Sequence, residues 1–237
     1  MRSIASFDAD DVRACSDVLR SIGAGRRSME DAATAVVRYL YDELDDGNGS
    51  RACALVRLYK THPYGDLPPN VRDFAGAVLG EVPPDDVRCL TLLGTAGDLP
   101  AWNDREQSKG HQAIPLPSEQ LVEQLPMVRR LITQLGLTVS TVIRPDPDRA
   151  RELAQHSYDV FHVPDAAGST YLPAQDFIRD HGIRSALGFG GMLFTGDFYA
   201  VVLFSRVEIP RDAAQMLKIL ALAVRVPLLT HLKRVFD

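Results

Sequence analysis

Few residues in this sequence could bind a ligand, and most of them fall in polar stretches between apolar segments. The stretch 97–117 contains the single tryptophan, Trp102, together with His111, while His162 and Tyr171 lie near each other further along the chain. An aromatic ring and a few hydrogen-bonding groups over an apolar floor are typical of a small-molecule pocket. The same residues are also explained if Trp102 pins its own loop and its neighbours cover the sheet edge, so both interpretations stay open.

The two histidines are the best candidates for a haem or metal ligand, because imidazole is the commonest such ligand. His162 has no second histidine or carboxylate close in sequence to complete a site. The three cysteines, Cys15, Cys53 and Cys89, are far apart and form no CxxC pair. We therefore predict no metal site and leave the cofactor unknown, with haem among the small ligands considered.

One arginine could hold an anionic ligand. Arg184 directly precedes an apolar strand-like segment, and a guanidinium can bind a carboxylate or phosphate by paired hydrogen bonds. A salt bridge to Asp180 or Asp176 explains the same residue without a ligand, and we favour that explanation.

Signatures of catalysis are missing from the sequence. A covalent mechanism needs a nucleophile with an activating base, and no GxSxG nucleophile elbow occurs. The glycines within 188–191 do not form a GxGxxG motif that opens a helix, so a dinucleotide-binding fold is unsupported. We predict no catalytic residues.

The segment 182–209 predicts a long β-hairpin around which the other elements are arranged. Glycine beside small polar residues supplies the positive φ of a tight turn, which places the turn at Thr195-Gly196-Asp197. In the second strand, one alternating set of side chains is Phe198, Ala200, Val202 and Phe204, and the other is Tyr199, Val201, Leu203 and Val207. Both sets are apolar, which predicts a central strand that is covered on both sides.

The first strand of this hairpin contains three glycines, Gly188, Gly190 and Gly191. Glycines weaken a strand and often mark a bulge or a close approach of the backbone to a ligand. Two explanations stay open, of which the first is a bulge that lets a helix lie close to the sheet. The second is a direct ligand contact.

Capping residues and apolar periodicity predict the remaining elements. Asp8 can cap a helix that extends to about Ser21, and Ser28 begins a second helix with Asp31 in a capping-box position. Further strands are expected over 52–60, 88–95, 113–116 and 158–163. Further helices are expected over 70–79, over 118–135 with a kink at Pro126, in a segment that ends at about His156, over 174–181 and after Pro210. The segment 137–143 is ambiguous between strand and helix. In the first of these strands, Cys53, Leu55 and the stem of Arg57 are expected to share one face.

This order of elements predicts an α+β fold, an α/β sandwich. A central antiparallel sheet of about five to six strands is expected to carry the terminal helices on one face and loops with short helices on the other. The stripe of apolar residues over 217–235 is close to a 3.5-residue repeat, which favours a homodimer through the terminal helices. The alternative is that this stripe packs on the chain's own sheet.

Composition narrows the possible partners. The 237 residues have a formal net charge of −5 and no basic stripe, which argues against nucleic acid. The acidic N-terminus is unlike a signal peptide, and the most apolar helix, near 217–229, is interrupted by Arg225 and Pro227. We expect this helix to be too short and too polar to cross a bilayer, so we predict no membrane partner and a cytoplasmic location.

The hairpin and the helix after it resemble a GAF domain, the α/β sensory module found upstream of signalling outputs. The matching residues are Gly182-Ile183-Arg184-Ser185, Leu187-Gly188-Phe189, and the run from Gly196 to Ser205. More specifically, residues 88–117 and 158–178 are similar to the input regions of bacterial sensor histidine kinases. The resemblance implies residues 28–237 as a GAF-like domain with a helical insertion around 118–156, preceded by an N-terminal helical extension over 1–27.

The resemblance also implies a function and a place for the ligand, between the sheet and the helices and loops on one side. The candidate ligand residues are then Trp102, His111, His162, Tyr171, Arg184 and Phe189. We expect a sensory domain of a two-component system that binds a small ligand, is not itself an enzyme and signals to a histidine-kinase-type output. The alternatives are a cysteine-dependent redox enzyme of the same fold and a ligand-free dimerisation module.

The sequence also departs from the family. It has no NKFDE-type signature of cyclic-nucleotide binding and no cysteine where bilin-binding relatives attach their chromophore. Asp197-Phe198 replaces the usual small residue ahead of the final strand. These differences exclude the best-known GAF ligands as predictions and leave the ligand unknown.

Overall fold

The fold is built on one six-stranded antiparallel sheet, and the computed structural model describes all 237 residues. The strands are β1 (Arg2–Ser3), β2 (Leu44–Asp45), β3 (Cys53–Pro63), β4 (Arg88–Gly97), β5 (Ala113–Pro115), β6 (Phe161–Val163), β7 (Ser185–Met192) and β8 (Phe198–Ser205). The helices are α1 (Ala9–Ser21), α2 (Met29–Glu43), α3 (Pro69–Leu79), α4 (Glu119–Glu123), α5 (Pro126–Gln134), α6 (Val139–Ile143), α7 (Ala150–Gln155), α8 (Gln175–Asp180), α9 (Arg211–Leu217) and α10 (Leu220–Thr230).

Strand order in the main sheet is β5-β4-β3-β8-β7-β6, and every neighbouring pair is antiparallel. The paired strands that lie furthest apart in the sequence, β3 and β8, are at the centre of the sheet. Strands β1 and β2 form a separate parallel pair. The predicted α+β class, the antiparallel sheet and its strand count are confirmed.

The hairpin of β7 and β8 has the predicted turn. Gly196 adopts φ +83°, a conformation that residues with a side chain rarely adopt. The side chains of β8 alternate as expected: Phe198 and Val202 belong to one apolar core and Tyr199 and Val201 to the other. The strand is buried along its full length, as a strand covered on both faces should be.

One face of the sheet, here called the helical face, is covered by α1, α2, α9 and α10. Asp8 and Ser28 cap α1 and α2, as predicted. Gly94 in β4 lets α2 lie directly on the sheet, because a Cβ there would come within 2.6 Å of the Ala33 carbonyl carbon. The prediction of terminal helices on one face is confirmed, and α1 shares their core.

The opposite face, here called the loop face, is covered by short helices and by the connections between them. Four of these helices, α4 to α7, lie between β5 and β6 along the chain. Their apolar side chains, such as Leu131 and Val142, pack with Phe161 and Phe198 into a continuous core. This face is therefore filled by the protein's own side chains.

Some local predictions are wrong. Cys53 and Leu55 do not share a face, because a register shift between them moves Leu55 to the loop-face core while Cys53 faces the helices. The predicted helix over 118–135 is broken into α4 and α5 at Pro126, which lacks the N–H that a continuous helix needs. The strand expected over 158–163 contains only Phe161–Val163.

The expectation that the most apolar helix is too short and too polar to cross a bilayer also needs correction. The helical run Arg211–Thr230 has 20 residues and a mean hydropathy of 1.5, so by length and composition alone it could cross a bilayer. Half of the apolar window is buried inside the protein, where Leu217, Leu220 and Val224 pack into the helical-face core. A core helix of this kind has the same composition as a spanning one.

Candidate functional site

A groove lies where α10 crosses the end of β7, and we call it the Gly191 groove. An inner part of about 110 Å³ adjoins a wider cleft of about 340 Å³, and the two share Ala154 and Arg225 as lining residues. The other residues that line the inner part are His156, Ser157, Tyr158, Gly190, Gly191, Met192, Tyr199, Lys218, Ile219, Ala221 and Leu222. The groove thus joins the sheet, the segment after α7 and the C-terminal helix.

The glycines of β7 serve this site by making room for a tyrosine. A Cβ on Gly191 would lie 2.5 Å from the Tyr158 ring, and one on Gly190 would lie 2.0 Å from the Tyr199 carbonyl oxygen. The β7–β8 register runs without a shift, so the bulge that was one of the two explanations for these glycines is absent from this pair. The close approach at Gly191 is made by a side chain of the protein itself, which forms the groove wall.

Two phenols in the groove are held by backbone carbonyls. The Tyr158 hydroxyl donates to the Leu153 oxygen at 2.6 Å, and the Tyr199 hydroxyl donates to the Ala221 oxygen at 2.8 Å. Burial raises the pKa of Tyr158 to about 12 and raises that of Tyr199 as well. Both phenols are therefore neutral at physiological pH and position the groove without adding charge.

The charged groups around the groove are mainly cations. Arg225 on α10 donates a hydrogen bond to the Ala154 carbonyl and forms no ion pair, and Arg151 in the outer cleft is also without a carboxylate partner. Two carboxylates lie beside lining residues: Asp159 is 3.5 Å from Lys218, and Glu152 is 3.8 Å from His156. An excess of positive charge in a concave, partly enclosed site favours an anionic ligand.

Trp102 packs against other rings of the protein, as expected if this side chain holds its own loop in place. Its ring centroid is 4.5 Å from that of His181 and 5.6 Å from that of Phe177, while its carbonyl accepts a hydrogen bond from Thr95 at 2.8 Å. Tyr171 is partly exposed and its ring lies 4.6 Å from the Arg130 guanidinium.

Each of the two predicted histidines contacts a single backbone carbonyl. His111 Nδ1 is 2.9 Å from the Lys109 oxygen, and His162 Nε2 is 2.8 Å from the Ile209 oxygen. Burial is the main cause that lowers the pKa of both. Neither histidine belongs to a group of three or more potential metal ligands.

The remaining two predicted residues lie apart from these. Arg184 is exposed and pairs with Glu208 at 3.5 Å, whereas the expected partners were Asp176 and Asp180. Phe189 is fully buried in the helical-face core, on the other side of the sheet from Trp102. The six predicted residues thus occupy both faces, and the structure does not bring them together into one site.

The sequence singles out Gly190 and Gly191 as a candidate ligand contact, but it does not join them to Tyr158 and Arg225, for a physical reason. Tyr158 meets Gly191 only after β7 has paired with β8, and no local pattern encodes that contact. One signal was present: Arg225 is an isolated cation in a strongly apolar helix, and such a residue needs a polar surrounding.

No family model and no curated protein matches the chain. Two solved structures are similar in overall shape. The GAF domain of a phosphoenolpyruvate-protein phosphotransferase from Acinetobacter has 13% identity and a TM-score of 0.45, over 98% of this chain and 100% of that one. The bacteriophytochrome RpBphP3 from R. palustris has 7% identity and a TM-score of 0.39, over 93% of this chain and 39% of that one. Both scores are too low to support an argument about a site or a ligand.

Proposed function

We propose that the chain is a GAF-like sensory or regulatory domain that binds a small anionic ligand in the Gly191 groove. The observation that carries this proposal is that α10, the last long helix, forms one wall of the groove with Lys218 and Arg225. A ligand there touches the helix directly and needs no relay through the sheet.

Signalling follows if the ligand binds two positions of α10 unequally. In the structure, Arg225 bridges α10 to α7 through the Ala154 carbonyl. An anion in the groove offers this guanidinium a stronger, charged acceptor, which changes how α10 is tied to α7. The movement of α10 against the sheet is the signal, and a histidine-kinase-type output in the cytoplasm is its proposed receiver.

A second copy of the chain is the proposed partner of α10. Ile219, Leu222 and Val226 are 40%, 52% and 39% exposed, and their spacing of three and four residues places them in one stripe. Ile219 and Leu222 also line the groove, so dimer contact and ligand contact involve the same turns of the helix.

The burial of the thiols disfavours the cysteine-dependent redox alternative. Cys15, Cys53 and Cys89 are all fully buried, and burial raises the pKa of Cys53 and Cys89 to about 12. A thiol reacts as the thiolate, so these side chains are poor nucleophiles.

Thermal-shift measurement with a panel of small carboxylates and phosphate esters tests the proposal. A ligand present at about 100 times its Kd stabilises the folded chain by about 2.7 kcal/mol, or roughly 5–10 °C in Tm for a domain of this size. Arg225→Met should remove most of this shift. Arg149→Met is the matched control, because Arg149 is exposed and lies outside the groove.

Two outcomes would count against the site. If no panel member raises the Tm of the wild-type chain, the ligand-free dimerisation module becomes the better description. If a shift appears and survives Arg225→Met unchanged, the ligand binds somewhere other than the groove.

A further inference from the structure

A second polar region lies beneath the segment that follows α10, away from the Gly191 groove. His62 on β3 is 3% exposed, and neither of its ring nitrogens makes a hydrogen bond. Buried polar groups in proteins are nearly always paired, so an imidazole left with a free donor and a free acceptor calls for a specific explanation.

The neighbours of His62 form a compact charged cluster. Lys60 Nζ lies 2.8 Å from one Asp197 oxygen, and Arg88 lies 2.6 Å from the other. One carboxylate thus faces two cations, and all three side chains are largely buried. We call these three residues together with His62 the Asp197 cluster; it has an excess of one positive charge.

The other groups near the imidazole offset little of that charge, since Asp66, the other carboxylate that acts on Lys60, is exposed to solvent, where its charge is screened. Cys89 stands directly opposite His62 in the β3–β4 pair, and burial raises the pKa of its thiol to about 12, so it is neutral. Burial, together with the charges of Lys60 and Arg88, lowers the pKa of His62 well below its ordinary value. His62 is therefore a neutral hydrogen-bonding group beside two cations.

The cover over His62 is a short segment, residues 232–237, which we call the strap. The Phe236 ring lies 5.6 Å from the His62 ring, centroid to centroid. The strap is fixed at the start of α2, where Met29 N and Glu30 N each donate to a strap carbonyl at 2.9 Å. The strap thus places an aromatic ring against His62. Its carbonyl oxygens accept hydrogen bonds from the first N–H groups of α2, which have no partner within the helix.

We propose that the strap occupies a binding site for a small aromatic carboxylate, which displaces Phe236 and lies against His62. The strap itself indicates the class of ligand. It places an aromatic ring and carbonyl oxygens in the site, and an aromatic carboxylate offers the same two groups. The uncompensated cation of the Asp197 cluster and the unpaired imidazole favour a ligand that adds one negative charge and hydrogen-bond acceptors. Displacement also frees Met29 N and Glu30 N at a helix N-terminus, where anions are stabilised.

The test uses phenylacetate and its neutral analogue phenylacetamide, titrated calorimetrically into the whole chain. Phe236→Ala removes the ring of the strap and should bind phenylacetate at least tenfold more tightly than the wild-type chain does. The same variant should bind phenylacetamide at least tenfold more weakly than phenylacetate. Adding His62→Leu should weaken the binding of phenylacetate at least fivefold, because it removes the hydrogen-bonding imidazole and keeps the two cations. Val82→Ala, which removes an exposed apolar side chain outside both sites, is the control and should behave as wild type.

The proposal is overturned by any of three results. Equal binding of acid and amide to Phe236→Ala would mean an apolar cavity without a charge site. Equal binding of phenylacetate to Phe236→Ala and Val82→Ala would place the ligand elsewhere, and the absence of binding would remove the site. Should Phe236→Ala fail to fold, the ¹⁵N resonances of the His62 ring in the wild-type chain give the answer. They should shift with phenylacetate and not with phenylacetamide, and equal or absent shifts overturn the proposal. None of these results depends on the Gly191 groove.

Discussion

The two faces of the sheet differ in whether polar regions lie at the margin of their apolar cores. The loop face, where the GAF resemblance implies a ligand, is packed with apolar side chains around Phe161, Phe198 and Trp102. The helical face has an equally dry centre but two polar regions at its margin, the Gly191 groove and the Asp197 cluster. The same strands thus separate a face that is mainly structural from one where charge meets the terminal helices. Five changes test this contrast.

Gly94→Val should have the largest effect, because it pushes a side chain into the backbone of α2. A Cβ at Gly94 already lies 2.6 Å from the Ala33 carbonyl carbon and oxygen, which cannot move without the helix. We expect a loss of about 5 kcal/mol or more in the free energy of unfolding, enough to prevent folding.

The matched change on the loop face is Gly188→Val. Its Cβ would meet the end of the Leu131 side chain at 2.8 Å, and a flexible side chain can turn aside. We expect a loss of about 1–3 kcal/mol by urea denaturation. Equal losses for the two variants would show that the faces do not differ in rigidity.

Asp197→Ala should destabilise the fold nearly as much as Gly94→Val does. It leaves Lys60 and Arg88 buried without their shared carboxylate. Breaking a buried ion pair by removing one partner costs about 3–5 kcal/mol. Asp176→Ala is the control, since that carboxylate pairs with Arg179 in full solvent and should change stability by less than about 0.5 kcal/mol. If Asp197→Ala lowers the free energy of unfolding no more than Asp176→Ala does, the Asp197 cluster does not distinguish the helical face.

His62→Leu should change the acid sensitivity of the chain more than its stability at neutral pH. Because the folded state holds the pKa of His62 far below its unfolded value, the unfolded state binds the extra proton as the pH falls. Stability is therefore lost with falling pH from the unfolded pKa downwards, by up to about 1.4 kcal/mol per pH unit. His62→Leu should flatten this slope between pH 6.5 and 5 in denaturant titrations. At neutral pH the variant should be as stable as wild type, since it removes an unpaired polar group. An unchanged slope would contradict the burial of a neutral imidazole.

Leu222→Asp should have the smallest effect on folding and a clear one on assembly. Leu222 is 52% exposed, so the change should alter the stability of the monomer by less than about 0.5 kcal/mol. If α10 is the dimer contact, light scattering should show half the molar mass of the wild-type chain. Val82→Asp, at an exposed position outside α10, should leave the mass unchanged. A monomeric wild-type chain would contradict the proposed dimer.

The sequence predicts this fold well wherever a local signal decides the structure. The alternation in β8, the glycine in its turn and the caps Asp8 and Ser28 depend on nearby residues alone, and each is found as predicted. The prediction fails where neighbours in space decide, as at the register shift after Cys53.

The candidate site was far less predictable than the fold. Residue type singled out Trp102 and His162, yet hydrogen bonds and ring contacts within the protein account for both. His62 lies within a strand of ordinary appearance, and its unpaired state becomes visible only when β4 and the strap are in place. Local patterns report on strands and caps, whereas charge balance and burial depend on the assembled chain.

The central position of β3 and β8 also determines when the protein can fold during its synthesis. Cys53 pairs with Ser205 and Lys60 with Tyr199, so the middle of the sheet joins segments that leave the ribosome far apart in time. Until β8 emerges, β3 and β4 form a hairpin whose inner edge is long, apolar and unpaired. Such an edge invites pairing with other chains, so the nascent protein should depend on chaperones for most of its translation.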